Sequence, residues 1–117
     1  MQELTKINNK MITMTSLEVT ELINNFRREE GNEKELVHKN FMASIRNEVT
    51  SLENVGIKDG LNFKLISYTD NMNRTKPCYQ LNKAGIMQML NKESALVRYK
   101  TQQYIEALEN KLSQPQC

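Results

Sequence analysis

Apolar positions recur every three to four residues through Leu17, Val19, Leu22, Ile23 and Phe26, a spacing that gathers them on one side of a helix. Thr15-Ser16-Leu17-Glu18 supplies its start, with the Thr15 hydroxyl placed to accept from the third helical amide while Glu18 reaches back to the cap. Gly31-Asn32 supplies a stop. Before this helix, Lys-Met-Ile-Thr-Met at residues 10–14 is β-leaning and predicts a short strand. A second stripe, Val37, Phe41, Met42, Ile45, Val49 and Leu52, predicts a helix that begins between Asn32 and Val37 and ends near Leu52. Its remaining face is polar: Lys39, Asn40, Ser44, Arg46, Asn47, Thr50 and Ser51, with Ala43 leaving the backbone approachable. Gly56 and Gly60 bracket the loop that follows.

The pattern then changes period. Residues 63–68 and 75–81 are β-rich runs separated by an Asp/Asn cluster, which predicts a hairpin. Pro77 has no amide hydrogen for a ladder, so its strand is expected at an edge, or with that amide site facing outward. Tyr68 and Tyr79 fall on opposite strands and either pair across the hairpin or pack on the last helix. Asn82 caps a short helix from Lys83 to about Leu90, with Ile86, Met87 and Leu90 inward and Gly85 as its weak spot. The last helix is expected over residues 93–112, with an apolar stripe of Val97, Tyr104, Ile105, Leu108 and Leu112 that either packs within the molecule or pairs with a second copy as a homodimer.

Composition bounds this picture without redirecting it. A chain of 117 residues suits one compact domain, expected over residues 1–112 with a frayed tail at 113–117. No stretch reaches the roughly 20 apolar residues of a membrane span and the start lacks a signal-peptide pattern, so the expected location is the bacterial cytoplasm, with no membrane partner. Cys78 and Cys117, with His38 as the one histidine, are too few for a disulfide framework or a structural zinc site, and both are read as free thiols, Cys78 as a small buried hydrophobe. No metal and no cofactor is expected.

The formal net charge of +2 is uninformative until its distribution is considered. Residues 16–36 are acidic, with Glu18, Glu21, Glu29, Glu30, Glu33 and Glu35 against Arg27, Arg28 and Lys34; the basic excess comes later, in Lys64, Arg74, Lys76, Lys83, Lys92, Arg98, Lys100 and Lys111. A nucleic-acid surface would therefore use the second half of the chain and the helix just before it. There is no Gly-rich phosphate loop, no nucleophile with a base in view and no metal-ligand cluster, so no enzymatic activity is expected.

Helix, helix, hairpin, helices is the order of a winged helix, and the expected class is α+β: a winged-helix-like domain with a two-stranded hairpin wing and a long C-terminal helix. The motifs also carry a resemblance. Met14-Thr15-Ser16-Leu17-Glu18-Val19, His38-Lys39-Asn40-Phe41-Met42-Ala43-Ser44-Ile45-Arg46-Asn47, and the hairpin from Ser67-Tyr68-Thr69-Asp70 through Arg74 and Pro77-Cys78-Tyr79 to Leu81–Gly85 resemble the phage regulatory protein Rha family. Tyr104-Ile105-Glu106-Ala107 looks like that family's closing helix. The resemblance covers roughly residues 11–112 and implies a temperate-phage or prophage regulator with a helix-turn-helix-like unit, related in style to antirepressor amino-terminal domains. One departure stands out: the family's short turn between the first two helices is replaced at residues 24–36 by a longer acidic segment, expected to lengthen the first helix and alter the inter-helix angle.

Two readings of the sites follow. On double-stranded DNA the second helix enters the major groove: Asn40 and Asn47 pair with adenine, Arg46 with guanine or a phosphate, and Lys39 and Ser44 meet the backbone. His38 is then a phosphate-contacting or capping residue, and Asn73, Arg74 and Lys76 form a wing tip on a minor groove or phosphate ridge. On a protein partner, whether a repressor or a bacterial nuclease such as a CRISPR effector, the contact is the acidic segment Glu29, Glu30, Glu33 and Glu35. The bland alternatives are a solvated helix face and ordinary turn chemistry at Asp70-Asn71.

Overall fold

The computed structural model describes residues 12–58 and 62–113, the last two by their backbone alone. Lys10 and Met11 of the expected first strand, Gly60, the side chain of Leu112 and Cys117 lie outside the described residues. Strand β1 (Thr13–Thr15) runs directly into α1 (Ser16–Glu29), followed by α2 (His38–Asn54), β2 (Phe63–Thr69), β3 (Thr75–Asn82), α3 (Lys83–Met89) and α4 (Ala95–Ser113). The class is α+β, but the sheet has three antiparallel strands in the order β1-β3-β2 instead of the two of an isolated hairpin.

Addition of β1 makes β3 the central strand. Pro77 is tolerated there because β1 pairs only as far as Thr15 with Gln80. Tyr79, two residues on, turns its amide to the Ser16 hydroxyl at 3.0 Å, so by the two-residue alternation of a strand the Pro77 nitrogen faces the same side, beyond the end of β1. The two tyrosines are not partners: Tyr79 lies opposite Leu65 and is buried, while Tyr68 lies opposite Lys76.

The Thr15 capping box forms as read, with Glu18 N to Thr15 Oγ1 at 3.1 Å and Thr15 N to Glu18 Oε1 at 2.8 Å. The acidic segment continues α1 only as far as Glu29. Gly31 takes a left-handed φ of 85°, and the amides of Gly31 and Asn32 return to the carbonyls of Arg28 (3.1 Å) and Arg27 (2.8 Å), closing the helix after one further residue. The link to α2 is then held by α1 side chains. Asn24 accepts from the Leu36 amide at 2.7 Å and donates to the Leu36 carbonyl at 2.9 Å, and the Asn32 side chain accepts from Lys34 N at 2.9 Å. Because this link is extended, α2 starts at His38, later than its apolar stripe suggested; it ends through the same glycine device, Gly56 having φ 87°.

Asn82 caps α3 through the Gly85 amide at 2.9 Å. Gly85 is a requirement here and not a weak spot, because a Cβ would stand 2.2 Å from the Asn62 carbonyl oxygen. Ser94 caps α4 by accepting from Val97 N at 3.2 Å. Val97, Thr101 and Ile105, four residues apart, are fully buried as α4 packs on α1, joining Val19 and Ile23 in the single core. Each such aliphatic side chain contributes roughly 2 kcal/mol by burial. Among the described residues no helix is long and apolar enough to cross a membrane.

Candidate nucleic-acid interface

The first residue of α2 fixes how that helix meets the rest of the molecule. Ser16 is fully buried, and its hydroxyl oxygen accepts from the Tyr79 amide at 3.0 Å while lying 2.9 Å from His38 Nε2 and 3.5 Å from Met42 Sδ. One hydroxyl thus joins α1, α2 and β3. Burial holds the His38 imidazole below its ordinary pKa, favouring the neutral ring. The expected capping role does not fit this geometry, since the N-cap of α2 is Val37, with no side-chain cap bond, and Nε2 of His38 faces Ser16. The His38 ring meets Tyr68 edge-on, with centroids 6.4 Å apart, bringing the start of α2 against β2, where Tyr68 lies opposite Lys76 of β3.

At 100° per residue, Lys39, Ala43, Arg46 and Thr50 form a stripe pointing away from the buried Phe41, Met42 and Ile45, and all four are exposed. Asn40 and Asn47, also exposed, flank it. Lys39 and Arg46 have no ion-pair partner among the described residues, and the nearest acid along the helix, Glu48, is turned aside to accept from Gln88 Nε2 at 2.8 Å. Ser44 is half-buried and, with Asn47, lines a cleft of about 210 Å³ shared with Arg27, Lys92 and Glu93. The polar face read from the sequence therefore divides into an outward stripe and a recessed flank.

At the hairpin tip, Asn73 N donates to Asp70 O (3.0 Å) and Asp70 N to Arg74 O (2.9 Å), a type I turn closed by Asn73 in the left-handed region at φ 61°. The Asp70 carboxylate accepts from the amides of Met72 and Arg74, both at 2.9 Å, and from Arg74 Nε at 3.1 Å, with Lys76 Nζ at 3.5 Å. These donors, the Arg74 amide foremost, hold Asp70 below the usual carboxylate range. Arg74 and Lys76 remain 60% and 45% exposed as side chains, so part of their charge faces outward.

The alternative site residues separate. Glu29 pairs with Lys100, and Glu30 accepts from the Ser94 hydroxyl at 2.9 and 3.0 Å, so both are engaged with α4. Glu33 and Glu35 are exposed on the link with no ion-pair partner among the described residues. Of the stripe considered for a second copy, Val97 and Ile105 are in the core and Leu108 is half-buried; Leu96, Tyr99 and Tyr104 are what α4 shows to solvent. Most of the stripe therefore packs within the molecule; Tyr104 departs from it, and the polar Thr101 takes the buried place between Val97 and Ile105. Ser16, Asp70 and the Arg27–Glu93 pair were not singled out as site-building residues. For Asp70 the signal was present, an acid four residues before Arg74 inside a turn; for Ser16 and Arg27 nothing local marks a partner tens of residues away. Among the described residues no group of three or more His, Cys, Asp or Glu is arranged to hold a metal ion.

These features define a small α+β protein in which a helix with a cationic outer stripe begins against a protruding, cation-bearing hairpin. The family model described as phage regulatory protein Rha matches residues 14–110, and the chain belongs to that family of phage regulatory proteins. Comparison with curated proteins and with solved structures gave no match.

Proposed function

We infer that the protein regulates phage genes by binding double-stranded DNA in the manner of a winged helix, with α2 in the major groove and the β2–β3 hairpin on the adjoining backbone, and without catalysis. One observation carries this reading: His38, next to Lys39 at the start of α2, meets Tyr68, which lies opposite Lys76 on the hairpin, while Lys39 and Arg46 are free of ion pairs among the described residues. An α-helix fits the major groove, and a face offering Lys39, Asn40, Arg46 and Asn47 has donors for both phosphates and base edges. Three strands are compatible with the reading, since β1 pairs with β3 on the side away from β2.

Binding of duplexes from a phage control region, followed by fluorescence anisotropy across salt concentrations, tests it. Affinity should fall steeply with salt, and Arg46→Ala and Lys39→Ala should each reduce the salt slope by about one. Retention that ignores salt, or no retention at low salt by folded protein, would count against the reading.

A second reading, inhibition of a basic protein partner, is favoured by Glu33 and Glu35, exposed on a link that Asn24 and Arg27 hold in place. Glu33→Lys with Glu35→Lys should then abolish capture of that partner while leaving DNA retention intact.

A further inference from the structure

The hairpin tip is more completely built than a connection between two strands requires. Every bond that fixes it is internal to residues 70–76: the turn bonds of Asp70, the left-handed Asn73, and a carboxylate that accepts from two amides and one side chain and lies beside the Lys76 ammonium. A tip held this way keeps its shape away from the body of the protein. On it stands Met72, 72% exposed, more than any other large apolar side chain among the described residues. A single exposed apolar residue is ordinary on a protein surface. This one sits on an internally bonded turn between Asp70, whose charge is engaged, and the outward-reaching Arg74 and Lys76. Residues 63–82 carry Lys64, Arg74 and Lys76 against Asp70 alone, a formal +2 equal to that of the whole chain.

The two outward-reaching cations that follow Met72 suit a polyanion better than an apolar protein cleft, and the minor groove of DNA sets phosphates beside its bases. We propose that Met72 is a wedge: the tip enters the minor groove, the Met72 side chain slides between two base pairs at a flexible step, and Arg74 and Lys76 take the flanking phosphates. Unstacking a step is costly, so a wedge that is already held in shape spends little of its binding on ordering itself. Methionine suits the task, being unbranched and polarisable enough to fill an irregular gap between bases. Pyrimidine–purine steps unstack most easily, so the wedge adds a preference for deformable sequence at a position where no base edge is read. This inference rests on the DNA-binding reading above and extends it to the shape of the bound duplex.

The test uses a duplex of about 24 base pairs recovered by the wild-type protein from a random-sequence pool, labelled at its ends with a donor and an acceptor dye. Anisotropy gives affinity and energy transfer gives the end-to-end distance, with circular dichroism confirming that each variant is folded. The wild type should shorten the distance; Met72→Ala should bind about tenfold more weakly and leave the duplex straight, and Met72→Leu should restore both. A bound duplex that stays straight with the wild type, or one that Met72→Ala bends as well as the wild type does, overturns the wedge and leaves the DNA-binding reading standing. Recovery of no duplex by the wild type overturns both.

Discussion

Ser16 shows how much one small side chain can organise. Its hydroxyl serves the Tyr79 amide inside the core, where an unmatched donor costs about 1–3 kcal/mol. Ser16→Ala should therefore lower the urea midpoint of unfolding by that amount of stability with the slope unchanged, and a variant as stable as the wild type would show that the amide finds another acceptor. His38, on the same hydroxyl, ties stability to pH. Its pKa is lowered in the folded protein, so the unfolded chain binds the proton more readily. The stability it contributes is complete above the unfolded value of about 6.5 and declines as pH falls through that value towards the lower folded one. His38→Gln, which cannot titrate there, should show a flatter stability profile between about pH 7 and pH 5; superimposable profiles for the two proteins would refute the link. Cys78, fully buried, has its thiol pKa pushed up by desolvation first and the nearby Glu18 charge second, so it should react with a thiol reagent far more slowly than after denaturation. Comparing the two rates in a Cys117→Ser background measures this one thiol.

At the scale of elements, the ends of the helices were legible because their signals are local. The capping box at Thr15, the Asn82 cap and the Gly31 stop each depend on residues within one turn, and each formed as the sequence indicated. What escaped was whatever needed a distant partner. The expected strand is present as β1, but its pairing of Thr13 with Asn82, which makes the sheet three-stranded, is a neighbour that a short β-leaning run cannot announce. The residue before the N-cap of α2, Leu36, has its amide and carbonyl both bonded to Asn24, a contact that no periodicity reveals. The candidate site was half legible: Lys39, Arg46, Arg74 and Lys76 were named from their types, while the division of α2 into an outward stripe and a recessed flank depends on what packs beside Ser44. Two element-level joints carry predictions. Arg27 meets Glu93 through two parallel bonds, 2.9 and 2.6 Å, with side chains only 17% and 8% exposed, and adds a bond to the Lys34 carbonyl at 3.0 Å. Glu93→Ala, which strands that guanidinium, should cost about 2–3 kcal/mol in chemical denaturation. Gly85→Ala forces a backbone shift where α3 passes the Asn62 carbonyl and should cost at least about 2 kcal/mol, whereas helix propensity alone would make it stabilising by up to about 1. The sign of the measured change decides between the two.

Across the whole molecule, charge and packing are segregated. The cations proposed to meet DNA lie on α2 and the hairpin, and the free carboxylates of the link lie between α1 and α2, so DNA and a basic protein would use different parts of one surface. Packing runs the other way, from one end of the chain to the other: α4 covers α1 with Val97, Thr101 and Ile105. That closure also sets a timetable. Strand β1 and helix α1 are the first described elements to leave the ribosome, yet the strand completing their sheet ends at Asn82 and the helix covering α1 begins at Ala95. Until those residues emerge, Val19 and Ile23 have only α2 to pack against, and nascent chains arrested before α4 should be digested by protease far more readily than the complete fold. A regulator arranged in this way gains its full core only when α4 has joined α1.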